Sequence, residues 1–147
     1  MSPDEATHIV CPHCDAINRI PAGKPAREAK CGQCHRALFD GHPAEVTGER
    51  LQKHIRSNDI PVVVDFWAPW CGPCRMMAPA YERAASQMEP RARLLKLNTE
   101  NDPAAAAHYH IQAIPTLMIF RNGQVADRVS GAMDERRLQQ WIMSYTH

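Results

Sequence analysis

The apolar run Val62-Val63-Val64-Asp65-Phe66-Trp67 leads, after two residues, into Trp70-Cys71-Gly72-Pro73-Cys74. A short run rich in valine and aromatic residues reads as a buried strand. A proline directly after the turn suits the first turn of a helix. The two cysteines therefore fall where a buried strand becomes a helix. Cys71 then stands at the helix N-terminus, where the macrodipole and free backbone N–H groups favour an anion. A thiolate is such an anion, and it is the nucleophile of thiol chemistry. This one junction points to thiol–disulfide exchange, with Cys71 as the exposed attacker and Cys74, one turn in, as the resolving thiol.

The other four cysteines share the same spacing but not the same setting. Cys11-Pro12-His13-Cys14 and Cys31-Gly32-Gln33-Cys34 are separated by sixteen residues, in a polar, turn-rich stretch. That stretch is sparse in apolar residues (Ile9, Val10, Ile17, Ile20, Leu38 and Phe39), too few to close a core without a staple. Two such pairs at this distance fit a two-knuckle zinc ribbon in which Cys11, Cys14, Cys31 and Cys34 hold one zinc. Redox-labile thiols or two disulfides are the alternative. His13 and His35 flank the cysteines and are alternative ligands, but with four cysteines in register they are read as bystanders.

The 17 basic and 16 acidic residues nearly cancel, so no global charge invites nucleic acid or an anionic membrane. Residues 1–42 carry five bases and five acids, which argues against a phosphate-binding footprint on the ribbon. No apolar stretch reaches membrane-spanning length. The acidic start at Asp4 and Glu5 lacks a signal-peptide pattern, and the chain is expected in the cytoplasm, where thiols stay reduced.

The turn Asp40-Gly41-His42-Pro43 marks the expected boundary between an N-terminal unit, residues 1–42, and a second one, residues 43–147. In the second unit a brief strand is expected near 44–46, a helix around Leu51 and Ile55, and the strand at 62–67. A helix over 72–88 should be kinked at Pro79, followed by a strand at 92–98 and a helix capped by Asp102. A strand at 116–120 should turn back at Asn122-Gly123 into an antiparallel strand near 125–129. A last helix should begin near Asp134, with Leu138, Trp141, Ile142 and Tyr145 on one stripe. Strands alternating with helices and ending in a hairpin imply an α/β fold, a mixed sheet covered by helices on both faces.

Three more residues in this unit invite a functional reading. Asp65 interrupts a buried run, where a carboxylate is costly. It either points to an edge or caps a turn, or it is a buried base that accepts a proton from Cys74, and the last reading is preferred. Lys96, in the neighbouring strand, is placed to tune it or is simply solvated. Pro115, after Ile114, either opens a strand or is a cis proline.

Phe66 to Cys74, Pro79, Ile114-Pro115-Thr116, Asn122-Gly123 and Gly131 together resemble the thioredoxin family. The resemblance covers residues 43 to about 146. It implies the thioredoxin fold, reduction of protein disulfides and recharging by a thioredoxin reductase. It further implies that Pro115 is cis and faces Cys71, and that Trp70, Gly72, Pro73, Ile114, Pro115 and Gly131 form the substrate-binding groove. Asp65 would be the buried base, with Lys96 beside it. Arg75 stands where the family commonly has lysine. With the ribbon in front, the whole chain resembles the zinc-containing second type of bacterial thioredoxin. That implies a cytoplasmic reductant tied to oxidative stress. The zinc is expected to be structural, and a separate hypothesis is that the four zinc-bound cysteines sense oxidant by losing metal. A protein-binding module or a redox-controlled holdase on a thioredoxin scaffold is the competing function.

Overall fold

A computed structural model describes residues 6–146. The acidic start at Asp4 and Glu5 lies outside the described residues. The chain opens with a hairpin, β1 (Thr7–Val10) and β2 (Ile17–Ile20), paired antiparallel from Thr7 opposite Ile20 to Val10 opposite Ile17. Then come β3 (Ala44–Glu45), α1 (Gly48–Ser57), β4 (Val62–Trp67), α2 (Gly72–Met88), β5 (Arg93–Asn98), α3 (Pro103–His108), β6 (Thr116–Arg121), β7 (Gln124–Ser130) and α4 (Glu135–Met143). From β3 onward this is the expected order. The ribbon hairpin was not foreseen, because its strands are four residues long and half polar.

The five-stranded sheet runs β3-β5-β4-β6-β7. β3 and β4 flank β5 in parallel, and β6 and β7 add antiparallel strands. Local chemistry sets the joints. Thr47, Asp102 and Asp134 each accept a hydrogen bond from a backbone N–H in the first turn of the helix that follows. Asn122 and Gly123 both take positive φ, 53° and 79°, as the tight hairpin requires. Pro79 lies inside α2, which continues to Met88.

Helices cover both faces. Val63, Leu94, Leu117 and Ile119 meet Met77, Tyr81 and Ala84 of α2 and Leu138 and Ile142 of α4. Val64, Phe66, Leu95, Leu97 and Phe120 meet Leu51 and Ile55 of α1 and Ala105 of α3. Each fully buried leucine, isoleucine or phenylalanine contributes roughly 1.5–3 kcal/mol, so these two layers carry the fold.

The ribbon has its own small core of Ile9, Ile20, Ala29, Leu38 and Phe39 around Cys11 and Cys31, and Ile60 of the larger unit packs against it. Ile17 does not join it and is half exposed. The ribbon is moored by buried polar contacts to α1 and to the start of β5. Arg93 is fully buried. It donates to Glu89 (3.2 Å) and to the carbonyls of Leu38 (2.7 Å) and Val10 (3.4 Å), under the Phe39 ring at 4.4 Å. Asp15 accepts from Arg50 at 2.8 Å and from His54 at 3.3 Å, while Asn58 bonds His54 and receives the Val10 N–H. Even the connecting turn is held: the Gly41 N–H donates to Glu89, and His42 meets Glu82 at 3.1 Å.

Two candidate cysteine centres

At the C-terminal end of β4 the strand gives way to α2, and Cys71 is the residue that caps the helix. The Cys74 N–H points at Cys71 Sγ at 3.2 Å, as expected of a sulfur held at a helix N-terminus. Cys71 and Cys74 are joined in a disulfide, with Cα atoms 5.3 Å apart. Exposure does not separate them as the spacing suggested: Cys71 is 5 % exposed and Cys74 2 %. Cys71 is covered because it packs with Ala68, Trp67 and Ile114, and its sulfur lies 3.7 Å from the Ile114 carbonyl oxygen.

Of the expected groove residues, Ile114 packs against it, and Trp70 and Gly72 are its chain neighbours. The Ile114–Pro115 peptide is cis. Pro115 is buried, and its carbonyl receives the Gly131 N–H at 2.8 Å. Gly131 has φ +99°, a conformation that an L side chain would strain. Trp70 is 67 % exposed, beside exposed Gly72 and Pro73. A cleft of about 290 Å³ opens next to it, lined by Trp70, Pro103, Ala106, Ile111 and Ile114. The lining of this cleft is mainly apolar.

Asp65 sits on the sheet face that α2 covers and is 1 % exposed. Its Oδ1 has no hydrogen-bond partner among the described residues. Burial pushes its carboxyl up to about 7, with Lys96 opposing and Glu45 adding to the rise. Lys96 stands opposite Asp65 across the β4–β5 ladder. Its ammonium rests over the Trp67 ring at 4.4 Å. Asp65 is therefore no edge cap, and its protonation changes near neutral pH.

The second centre is the ribbon's. The sulfur atoms of Cys11, Cys14, Cys31 and Cys34 all lie within 4.8 Å of one another. The short approaches cross between the knuckles: Cys11 to Cys34 is 3.6 Å and Cys14 to Cys31 is 3.5 Å. A tetrahedral zinc with Zn–S bonds of about 2.3 Å needs S···S edges of about 3.8 Å, so these donors fit it. Backbone N–H groups already point at the sulfurs, His13 to Cys11 at 3.4 Å and Gln33 to Cys31 at 3.3 Å, with the Asn18 amide on Cys31 at 3.4 Å. Burial raises the Cys31 thiol, but the Cys34 and Gln33 N–H groups and Asn18 outweigh it and bring it down to about 6. His13 and His35 are outside the cluster; His13 meets Asp40 instead, at 3.5 Å.

Reasoning from the sequence missed Glu45 and the mooring residues Arg93, Asp15, Arg50 and His54. Arg93, a charge opening a buried strand, carried the same signal as Asp65.

Comparison with known proteins agrees with both centres. The Thioredoxin family model matches residues 42–144, and the model for the N-terminal region of Thioredoxin 2 matches residues 10–36. Thioredoxin C-3 of Corynebacterium nephridii is 41 % identical over 134 residues, 91 % of this chain and 92 % of that protein. Thioredoxin 1 of Nostoc sp. is 47 % identical over 99 residues, 67 % of this chain and 92 % of that protein. Among solved structures, a thioredoxin from Halobacterium salinarum superposes with a TM-score of 0.67 at 36 % identity, covering 73 % of this chain and 93 % of the other.

Proposed function

This chain belongs to the thioredoxin family of thiol–disulfide oxidoreductases, and from that premise we propose that it reduces protein disulfides in the cytoplasm and is recharged by a thioredoxin reductase. The observation that carries the reading is a helix-capping Cys71, bonded to Cys74 and flanked by an open apolar cleft.

In the reduced protein the Cys71 thiolate attacks one sulfur of a substrate disulfide. The substrate S–S bond breaks, a Cys71–substrate mixed disulfide forms, and the first substrate thiol leaves with a proton from water. Cys74 gives its proton to the Asp65 carboxylate and attacks Cys71 Sγ as a thiolate. The mixed disulfide breaks, the second substrate thiol leaves, and the Cys71–Cys74 disulfide is formed. Two electrons have passed to the substrate, and a reductase restores them. A carboxyl poised near 7 suits the task, since it can take a proton and release it at ambient pH. Trp70, Gly72, Pro73, Ile114, Pro115 and Gly131 hold the substrate strand, and Lys96 biases Asp65.

Cys11, Cys14, Cys31 and Cys34 hold one structural zinc, and the ribbon ends near residue 42. Bound zinc would supply the fold energy that the ribbon's small core lacks. Two ligands of the set, Cys14 and Cys34, reach solvent, so oxidant has access and metal loss would report it. Among the described residues no helix is long and apolar enough to cross a membrane.

The test is NADPH consumption with thioredoxin reductase and a disulfide-bearing protein. Turnover should be robust and vanish in Cys71→Ser. Undiminished turnover in that variant would overturn the assignment. Peroxide that oxidises Cys71 and Cys74 while releasing no zinc would refute the sensing role alone.

A further inference from the structure

Three ionisable residues stand in one row across the sheet. Glu45 in β3 is opposite Lys96 in β5, and Lys96 is opposite Asp65 in β4. Residues directly opposite on neighbouring strands point to the same face, so the two carboxylates flank one ammonium. The ammonium settles on neither. Among the described residues Lys96 forms no ion pair within 4.0 Å, and its Nζ lies 4.4 Å over the Trp67 ring. The row ends in the open: Glu45 is exposed at the mouth of a cleft of about 440 Å³, lined also by Thr47, Arg50, Trp67, Asn98 and Asp102.

We propose that Glu45 is a positioning residue for the exchange reaction: it shares Lys96 with Asp65, so the buried carboxyl is left without an ion-pair partner of its own. The inference rests on the proposed role of Asp65 as the base for Cys74.

The neighbours of each group bear this out. Asp65 faces Lys96 on β5, Glu45 beyond it on β3, and Tyr81 on α2, the Tyr81 hydroxyl donating to the Leu95 carbonyl at 2.7 Å. Among the described residues, Lys96 is thus the one cation that acts on Asp65. Glu45 faces Lys96 and the Trp67 indole, with Asp102 across the cleft. Arg50, the other cation nearby, is committed elsewhere: its guanidinium bonds Asp15, the Pro12 carbonyl and the Glu45 carbonyl rather than the Glu45 carboxylate. Glu45 therefore competes for Lys96 and repels Asp65. Both effects keep the Asp65 proton bound to higher pH. Without Glu45, Lys96 belongs to Asp65 alone. The carboxyl would ionise earlier and hold the Cys74 proton less well at neutral pH.

The experiment follows the Asp65 carboxyl by carbon NMR against pH, together with the pH profile of the reductase reaction, in full-length zinc-loaded protein. In Glu45→Gln the Asp65 midpoint should fall by about half a unit or more, and the rate profile should move with it. Glu45→Asp, which keeps the charge, should lie close to wild type, and in Lys96→Met the effect of Glu45→Gln should shrink. A midpoint unchanged in Glu45→Gln would overturn the inference, as would an equal shift in Glu45→Asp. The carboxyl is read at rest, without turnover. A wild-type midpoint near that of an ordinary carboxyl would refute the Asp65 role itself, whereas a raised midpoint that ignores Glu45 would refute the inference alone.

Discussion

The ribbon and the thioredoxin unit begin their cysteine pairs with the same turn and end them differently. In all three pairs the N–H of the fifth residue bonds to the carbonyl of the first cysteine: Asp15 to Cys11 (3.0 Å), His35 to Cys31 (2.9 Å) and Arg75 to Cys71 (3.1 Å). In all three a backbone N–H inside the pair points at the first sulfur. The paths part at that fifth residue. Asp15 and His35 take φ of 65° and 66°, and the chain doubles back so that Ala16 and Arg36 accept from the Cys11 and Cys31 N–H groups. Arg75 stays helical and α2 runs on. Aspartate and histidine tolerate the left-handed region better than most residues, and arginine followed by Met-Met-Ala favours helix. The lesson is that Cys-x-x-Cys spacing alone assigns no chemistry. A knuckle that turns back offers its sulfurs to a second knuckle, while a helix leaves two sulfurs with only each other.

The largest way to break that contrast is to take one sulfur from the ribbon. Cys31→Ser should abolish stoichiometric zinc binding and unfold residues 6–39. Apparent zinc affinities in finger peptides are about 10–16 kcal/mol, and the small core cannot replace that. Metal analysis and ribbon amide dispersion by NMR would show it, with the Cys71–Cys74 chemistry retained. A smaller break targets the mooring. Arg93→Leu strips Glu89 of its buried partner and frees two ribbon carbonyls, and chemical denaturation should record a loss of about 3–5 kcal/mol.

Next in size is the cost of the buried Asp65 carboxyl. Asp65 titrates near 7 in the folded chain against an ordinary 3.8, so its charge opposes folding, and that penalty accumulates as pH rises from 3.8 toward 7 and is complete above it. Asp65→Asn should therefore raise stability at pH 8 by about 4 kcal/mol while slowing turnover. The smallest effect separates the two regions by sign. Burial lowers His54, in the ribbon mooring, from 6.5 to about 4. Its contribution is intact above 6.5 and is lost as pH falls toward 4. Between pH 7 and 5 His54 should cost about 2 kcal/mol and Asp65 should return a similar amount. The wild type should be nearly flat over that window in denaturation, and Asp65→Asn should expose the acid loss.

Much of this was legible beforehand. The run 62–67, the helix 72–88, the caps at Asp102 and Asp134 and the Asn122-Gly123 hairpin each carry a local signal, and each formed where expected. Asp65 announced itself by breaking an apolar run. What stayed hidden is tertiary. The sequence says nothing of Arg93 reaching Val10 and Leu38, 83 and 55 residues away. Glu45 reads as a surface glutamate until strand order puts it in line with Lys96 and Asp65. Ribbon strands of four residues gave too few periods to detect, and Cys71 was read as exposed because the Ile114 loop that covers it is 43 residues distant.

The central claim, that identical spacing yields a metal site at one end and a redox pair at the other, is tested most directly by counting zinc and reactive thiols on natively purified protein before and after oxidation by a disulfide substrate. One zinc per chain in both states, with two rapidly reacting thiols that disappear on oxidation, is the expected result. No zinc and six reactive thiols, or loss of thiols from Cys11, Cys14, Cys31 or Cys34 along with the substrate's reduction, would contradict it.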